Sequence, residues 1–309
     1  DHLDTAALRD AGIAWTAAPG CNAVSVAEWW TAAVLELARL DGAALQGRTV
    51  AVVGVGQVGS RVQVRAEALG MTTMLNDPPR AAREGGDSWR TLDDVLPQAD
   101  IVTFHVPLTD DGPWPTRGMV NAELLARLKP GCWFINASRG EIVREDALLA
   151  ARGVGRMALD VWDHEPVPRR ELLERVDLGT PHIAGYSLDG KLRGTQMVYQ
   201  SLCEVLGEKP TWDAGLHLPP ARSPEILLDP AAESFQQAIR RAVSAVYPIR
   251  EDDVSLRNDL PVAPEDLGAR FEFLRKNYPV RREFSGTRVI LRSPDPALEQ
   301  ALHRLGFVV

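Results

Sequence analysis

Three short runs carry side chains able to grip an acid and move a proton: Asn136-Ala137-Ser138-Arg139-Gly140, Leu159-Asp160-Val161-Trp162-Asp163-His164-Glu165-Pro166 and Pro181-His182-Ile183-Ala184-Gly185-Tyr186. A histidine exchanges its proton near neutral pH, and a carboxylate beside it orients the ring and stabilises its charged form, which pairs Glu165 with His182. Arg139 beside Gly140 presents a planar fork that matches a carboxylate in bidentate fashion. Taken singly, each is more often structural. The ordered triple behind a nucleotide-binding turn reverses that balance, and it reads as a set for removing a hydroxyl proton beside a hydride carrier.

The turn is Val53-Gly54-Val55-Gly56-Gln57-Val58-Gly59. A glycine pattern of this kind matches many loops by chance. Here an apolar strand precedes it, a helix follows, and Asp77 stands 18 positions after Gly59 at the end of the next strand. Gly54 permits the tight turn, Gly56 lets the backbone approach a pyrophosphate, and Gly59 allows close packing of helix on strand. The helix start adds free N–H groups and positive potential. Asp77 would accept from the adenosine ribose hydroxyls and repel a 2′-phosphate, which favours NAD over NADP, with Arg80 leaving NADP open. His105 closes a strand, where it either lines the pocket or is a satisfied strand-end residue. His164 has no ligand spacing to another residue, so no metal is expected. Trp29 and Trp30 read as packing or interface residues, and Tyr186 as a substrate contact.

The 309 residues are 45% hydrophobic and 25% charged, which is ordinary globular material, and the net charge of −8 argues against a nucleic-acid or anionic-membrane partner. Three widely spaced cysteines, Cys21, Cys132 and Cys203, imply neither a disulfide framework nor zinc and read as small buried apolar residues. No apolar run of about eighteen residues and no signal peptide is seen, so a soluble, cytoplasmic setting is expected.

Short apolar runs at 49–53, 72–76, 101–105, 132–136 and 157–161 predict strands; the first runs into the glycine turn, and Asp77, His105, Asn136 and Asp160 fall at the ends of the others. Helical spacing predicts helices over 26–40, with Ser25 as cap, and over 58–69, 121–128 and 145–151. Alternating strand and helix implies a parallel, doubly wound sheet, whose ligands gather at the carboxyl ends of the strands. Beyond residue 191 the chain reads helical to 206, and a proline-rich stretch, 210–224, precedes a last block. That block is expected to hold helices at 231–246 and 264–277, a strand at 287–292, and a final helix plus strand over 297–309.

From the glycine turn to Gly185 the chain resembles the D-isomer-specific 2-hydroxyacid dehydrogenases. Asp1-His2-Leu3-Asp4, Pro19-Gly20-Cys21-Asn22, Asp77-Pro78-Pro79-Arg80 and Pro181-His182-Ile183-Ala184-Gly185-Tyr186-Ser187-Leu188-Asp189-Gly190-Lys191 are similar to one branch of that family. Ala245-Val246-Tyr247, Leu274-Arg275-Lys276-Asn277-Tyr278 and Arg281-Arg282-Glu283-Phe284 resemble the C-terminal domain that sets this branch apart. The resemblance implies a Rossmann-type α/β fold, with 1–24 as part of a substrate-binding lid, 25–185 as the NAD-binding domain, 186–208 as a return segment to the lid, and 209–309 as an α+β dimerisation domain.

It further implies NAD-dependent oxidation of 4-phospho-D-erythronate to 3-hydroxy-2-oxo-4-phosphonooxybutanoate in pyridoxal 5′-phosphate synthesis, by a cytoplasmic homodimer. Arg139, Glu165 and His182 are carried over as catalytic, with His182 the proton donor. Gln57, Val58, Asp77, Ala137, Ser138, Arg139, Asp160 and Gly185 are carried over as NAD contacts, as is Val106, which stands where the family uses threonine and so keeps a backbone contact but no hydroxyl contact, and Tyr186 would touch substrate. Two departures stand out. The lid segment ahead of Asp1, with the arginine and serine that grip phosphate, is not in the sequence, so this form is expected to bind NAD but turn over poorly. The link over 151–157 reads as short. Other readings are a different D-2-hydroxyacid dehydrogenase, such as one for 3-phosphoglycerate, or a non-catalytic NAD-sensing interaction protein. The complete Arg139, Glu165 and His182 set weighs against the last.

Overall fold

Strands β1 (Thr49–Val53), β2 (Thr72–Asn76), β3 (Ile101–Phe104), β4 (Cys132–Asn136), β5 (Val154–Leu159) and β6 (Leu178–Gly179) pair in parallel, in the order β2-β1-β3-β4-β5-β6. The computed structural model describes residues 3–258 and 263–309. Every residue of β3 and β4 is buried, because helices cover both faces of the sheet, and this is why the strands read as unbroken apolar runs. Val50 and Val52 pack into one core with the helices Ala23–Asp41 and Gly59–Ala68, while Ala51 and Val53 face a second core with Phe104 and Phe134. The sheet is doubly wound, Rossmann-like. Its strand order reverses at β1, with β2 on one side and β3 on the other, so a crevice opens beside the turn after β1.

The first long helix runs Ala23–Asp41 and is capped at Asn22, not at Ser25. Ser25 lies inside the helix and fully buried, and its hydroxyl meets Ser187 Oγ at 2.5 Å and Glu283 Oε1 at 3.0 Å. Trp29 and Trp30 are both completely buried. Strand β5 begins at Val154, earlier than expected, so the link after the helix Glu145–Ala150 is short because the strand is long. Cys132 and Cys203 are buried, whereas Cys21 is only partly so.

The helix Leu188–Leu206 leads to the last block, in which β7 (Glu225–Leu228) pairs in parallel with β8 (Arg288–Leu291). Ile226, Leu228 and Val289 bury against the helices Phe235–Val246 and Pro296–Leu305. Strand β7 and the helix Ile249–Arg257 have no counterpart in the sequence reading. The terminal strand reduces to one bridge, Arg288 to Val308. Asp253 Oδ1 accepts the Gly179 N–H at 2.7 Å, and Arg281 donates to the Ala184 carbonyl at 2.7 Å, so this block is tied to the open end of the sheet. Of the motif at the start of the chain, Asp1 and His2 lie outside the described residues. Among the described residues no helix is long and apolar enough to cross a membrane.

Candidate active site

Gly54, with φ 85°, turns the chain out of β1, and Gly59 opens the helix Gly59–Ala68 directly against it. A Cβ at Gly59 would sit 2.0 Å from the Gly54 carbonyl oxygen, so only glycine allows this packing. At Gly56 a Cβ would meet nothing within 4 Å. The backbone there is open on the side where a diphosphate would approach the helix start. Asp77 caps the next helix: Oδ1 accepts from Arg80 N at 2.9 Å and Oδ2 from Val55 N at 2.8 Å. A carboxylate has about four acceptor positions, so capacity remains for ribose hydroxyls. Arg80 pairs with Glu84 at 2.9 Å, binds the Val55 carbonyl, and stacks 4.9 Å from the Trp89 ring, engagements that hold its charge against protein groups.

Three cavities follow one another along the crevice. An apolar one of about 400 Å³ is lined by Gly54, Asp77, Val106 and Trp114. It meets, at Val106 and Pro107, a second of about 420 Å³ lined by Val58, Ala137, Ser138, Arg139, Asp160, His182, Gly185 and Tyr186. Arg139 and His182 in turn border a third of about 670 Å³ that holds Glu165 and Arg275. Every expected site residue thus lines this groove except Gly56, Gln57 and Gly59, which form the turn itself. The first cavity suits an adenine ring and the glycine turn a diphosphate, so the residues present fit a dinucleotide.

His182 Nδ1 lies 2.7 Å from Glu165 Oε2, and Glu165 Oε1 accepts the Trp162 N–H at 3.0 Å. With Nδ1 engaged, Nε2 is left for the cleft. His182 has φ 54°, a left-handed conformation that costs a non-glycine residue on the order of 1–3 kcal/mol and persists only where its surroundings over-determine it. Asp160 does so. Its carbonyl accepts the His182 N–H at 2.8 Å, while Oδ1 takes Ile183 N at 2.8 Å and the Thr180 hydroxyl at 2.6 Å, and Oδ2 takes Ala184 N at 2.9 Å. Burial raises the Asp160 carboxyl above its ordinary range despite these donors and the nearby His182. Burial also works against charge on His182, yet the hydrogen bond to Glu165 and the charges of Asp160 and Glu165 prevail over it and over Arg275, so its pKa is raised.

Arg139 follows β4 in a turn organised by Asn136, whose Nδ2 donates to the Arg139 carbonyl at 2.9 Å and whose Oδ1 accepts from the Ser138 hydroxyl at 2.8 Å. A Cβ at Gly140 would fall 2.0 Å from the Trp162 carbonyl, so the arginine and glutamate loops touch through a glycine. His105 lines the cleft as well as closing β3. Its Nε2 meets the Thr103 hydroxyl at 2.9 Å, and burial pushes its pKa down to about 3, which keeps the ring neutral. His164 is largely exposed, with Asp163 at 3.7 Å. Among the described residues no group of three or more His, Cys, Asp or Glu could hold a metal ion.

Lys191 and Arg275 also reach this groove, and nothing in the sequence spacing singled them out. Lys191 Nζ stands 4.6 Å from the centroid of the Tyr186 ring and Arg275 Cζ 5.9 Å from it. Both fall within the longer runs that resemble the family.

The family model described as D-isomer specific 2-hydroxyacid dehydrogenase, NAD binding domain, matches residues 19–184. A second, described only as a domain of unknown function, matches 217–306. The erythronate-4-phosphate dehydrogenase of Cronobacter sakazakii is 46% identical over 310 aligned residues, covering 99% of this chain and 80% of that protein. That of Escherichia coli O17:K52:H18 is 44% identical with the same coverage. Among solved structures, the NAD-dependent formate dehydrogenase of Staphylococcus aureus in complex with NAD is 26% identical with a TM-score of 0.55, over 69% of this chain and 71% of that one. The D-lactate dehydrogenase of Aquifex aeolicus complexed with NAD and lactic acid is 27% identical with a TM-score of 0.54, over 67% and 74%.

Proposed function

The chain belongs to the D-isomer specific 2-hydroxyacid dehydrogenase family, and from that premise we propose that it oxidises 4-phospho-D-erythronate to 3-hydroxy-2-oxo-4-phosphonooxybutanoate with NAD, in pyridoxal 5′-phosphate synthesis. The name shared by relatives at 44% identity and above supports the substrate. The observation that carries the chemistry is the His182–Glu165 hydrogen bond of 2.7 Å at the border of two cavities that both include Arg139.

When bound, NAD would supply the hydride acceptor, and the glycine turn, Asp77 and the walls at Val58, Val106, Ala137, Ser138 and Gly185 would hold it. Arg139 grips the substrate carboxylate, which fixes the hydroxyl-bearing carbon within the groove. His182 Nε2 takes the hydroxyl proton, and Glu165 stabilises the imidazolium that results. In the reverse direction the same imidazolium returns that proton. Asp160 holds the loop that carries the imidazole, with one acceptor position left for the cofactor.

On this reading residues 25–185 bind the cofactor, residues 1–24 and 186–208 belong to the substrate lid, and residues 209–309 pair two copies in the cytoplasm. Leu227 and Ile290, exposed by 44% and 38% on the outer face of β7 and β8, support pairing through that face. Reduction of NAD on adding 4-phospho-D-erythronate tests the activity. His182→Ala is expected to abolish it and Arg139→Ala to raise KM at least tenfold; a protein that binds NAD but reduces it with no 2-hydroxy acid would contradict the assignment. Light scattering of Leu227→Glu tests the dimer: a monomer is expected, and an unchanged mass rules that face out.

A further inference from the structure

We propose that Lys191 and Arg275 form a second cation site in the groove, selecting a substrate that carries a phosphate monoester besides its carboxylate. This rests on the reading above, in which Arg139 takes the carboxylate and His182 the proton. The two cations come from separate elements, the helices Leu188–Leu206 and Pro264–Lys276, yet both stand over the one Tyr186 ring, at 4.6 Å and 5.9 Å. Lys191 lines the cavity that holds His182 and Arg139, and Arg275 lines its neighbour with the same two residues and Glu165.

Neither charge is well matched by the protein. Among the described residues no carboxylate pairs with Lys191; Arg275 pairs with the exposed Glu272 at 3.1 Å, hydrogen-bonds Tyr186 and feels the charge of Glu165. The buried Nε of Arg275 has no hydrogen-bond partner among them. Such an exposed pair is worth little and yields readily to a stronger acceptor. In a chain with a net charge of −8, two weakly matched cations converging on a catalytic groove call for an anion. A phosphate monoester brings roughly −1.5 to −2 at neutral pH and three acceptor oxygens, which one guanidinium already bound to a carboxylate cannot neutralise. An ammonium point charge and a guanidinium fork together can, with the fork supplying direction. Arg275 lies within the 217–306 region of unknown function, so that region would contribute substrate choice as well as structure.

Calorimetric titration of the NADH-loaded chain with inorganic phosphate, and separately with 4-phospho-D-erythronate and D-erythronate, tests this in wild type, Lys191→Met and Arg275→Met. Wild type is expected to bind phosphate and to prefer the phosphorylated acid at least tenfold, and each variant to lose most of both while its affinity for D-erythronate holds. Absence of phosphate binding in wild type overturns the site, as does equal weakening of both acids in the variants. Phosphate binding that is lost in the variants, with no binding of either acid to wild type, keeps the site but removes the erythronate reading. NADH affinity in each variant verifies folding.

Discussion

The imidazole of His182 is kept above its ordinary range, near 6.5, against the pull of burial, because Glu165 hydrogen-bonds it and Asp160 and Glu165 supply negative charge. Oxidation needs the neutral ring, so its rate is expected to fall as pH drops through a value above that of free histidine, and reduction to show the opposite limb. Glu165→Gln removes the charge and moves the limb to lower pH, as pH–rate profiles of both proteins would show; an unmoved limb contradicts the pairing. Stability follows the same sign. A raised folded-state pKa contributes stability that is complete below the unfolded value of about 6.5 and lost as pH rises through the folded value, so denaturant unfolding of Glu165→Gln should show a flatter decline above neutrality than wild type. The histidine, glutamate and arginine were legible because each follows a strand end of one parallel sheet. Arg275 was not, since its approach to Tyr186 depends on how a distant helix packs, and Lys191, in the first turn of the helix that follows Tyr186, has no spacing signal of its own.

At the level of elements, the glycine turn makes two separable demands. Gly59→Ala forces a Cβ onto backbone that cannot retreat, and should cost about 1–3 kcal/mol of stability together with NAD affinity. Gly56→Ala meets open space within the protein. It should melt like wild type yet bind NADH at least tenfold more weakly, because the new methyl occupies the diphosphate side; paired thermal melts and NADH titrations distinguish the two. Equal NADH affinity in Gly56→Ala would mean the cofactor lies elsewhere. Strands β1, β2 and β4 were readable to the residue since sharp polar or glycine boundaries flank a short β-forming run. Strand β7, four residues beside a proline-rich stretch, and the helix Ile249–Arg257, which buries only Ile249, Asp253 and Leu256, carried too little apolar pattern to register. Ser25 was misplaced as a cap because its hydroxyl serves a buried contact with Ser187 and Glu283, which the local sequence does not reveal.

Over the whole molecule, the C-terminal block and the His182 loop share a buried polar seam. Arg281 is buried, donates to the Ala184 carbonyl at 2.7 Å, accepts the Leu188 N–H through its own carbonyl at 2.8 Å, and lies 4.1 Å from the Tyr247 ring centroid. Glu283 in turn meets Arg193, Ser25 and Ser187. Arg281→Met leaves the Ala184 carbonyl without this charged donor, a loss of about 1.5–3 kcal/mol. Calorimetry should show a lower Tm and reduced catalytic rate together; a lower Tm with full activity would mean the block does not support the His182 loop.

The central claim is that His182 removes the hydroxyl proton as the neighbouring C–H bond gives up its hydride. It is tested most directly with 4-phospho-D-erythronate deuterated at the hydroxyl-bearing carbon, following where the label goes in one turnover of NAD-loaded protein. Deuterium should appear on the nicotinamide ring in wild type and fail to appear in His182→Ala. Release of the label to water, or transfer at the wild-type rate without the imidazole, would contradict the account.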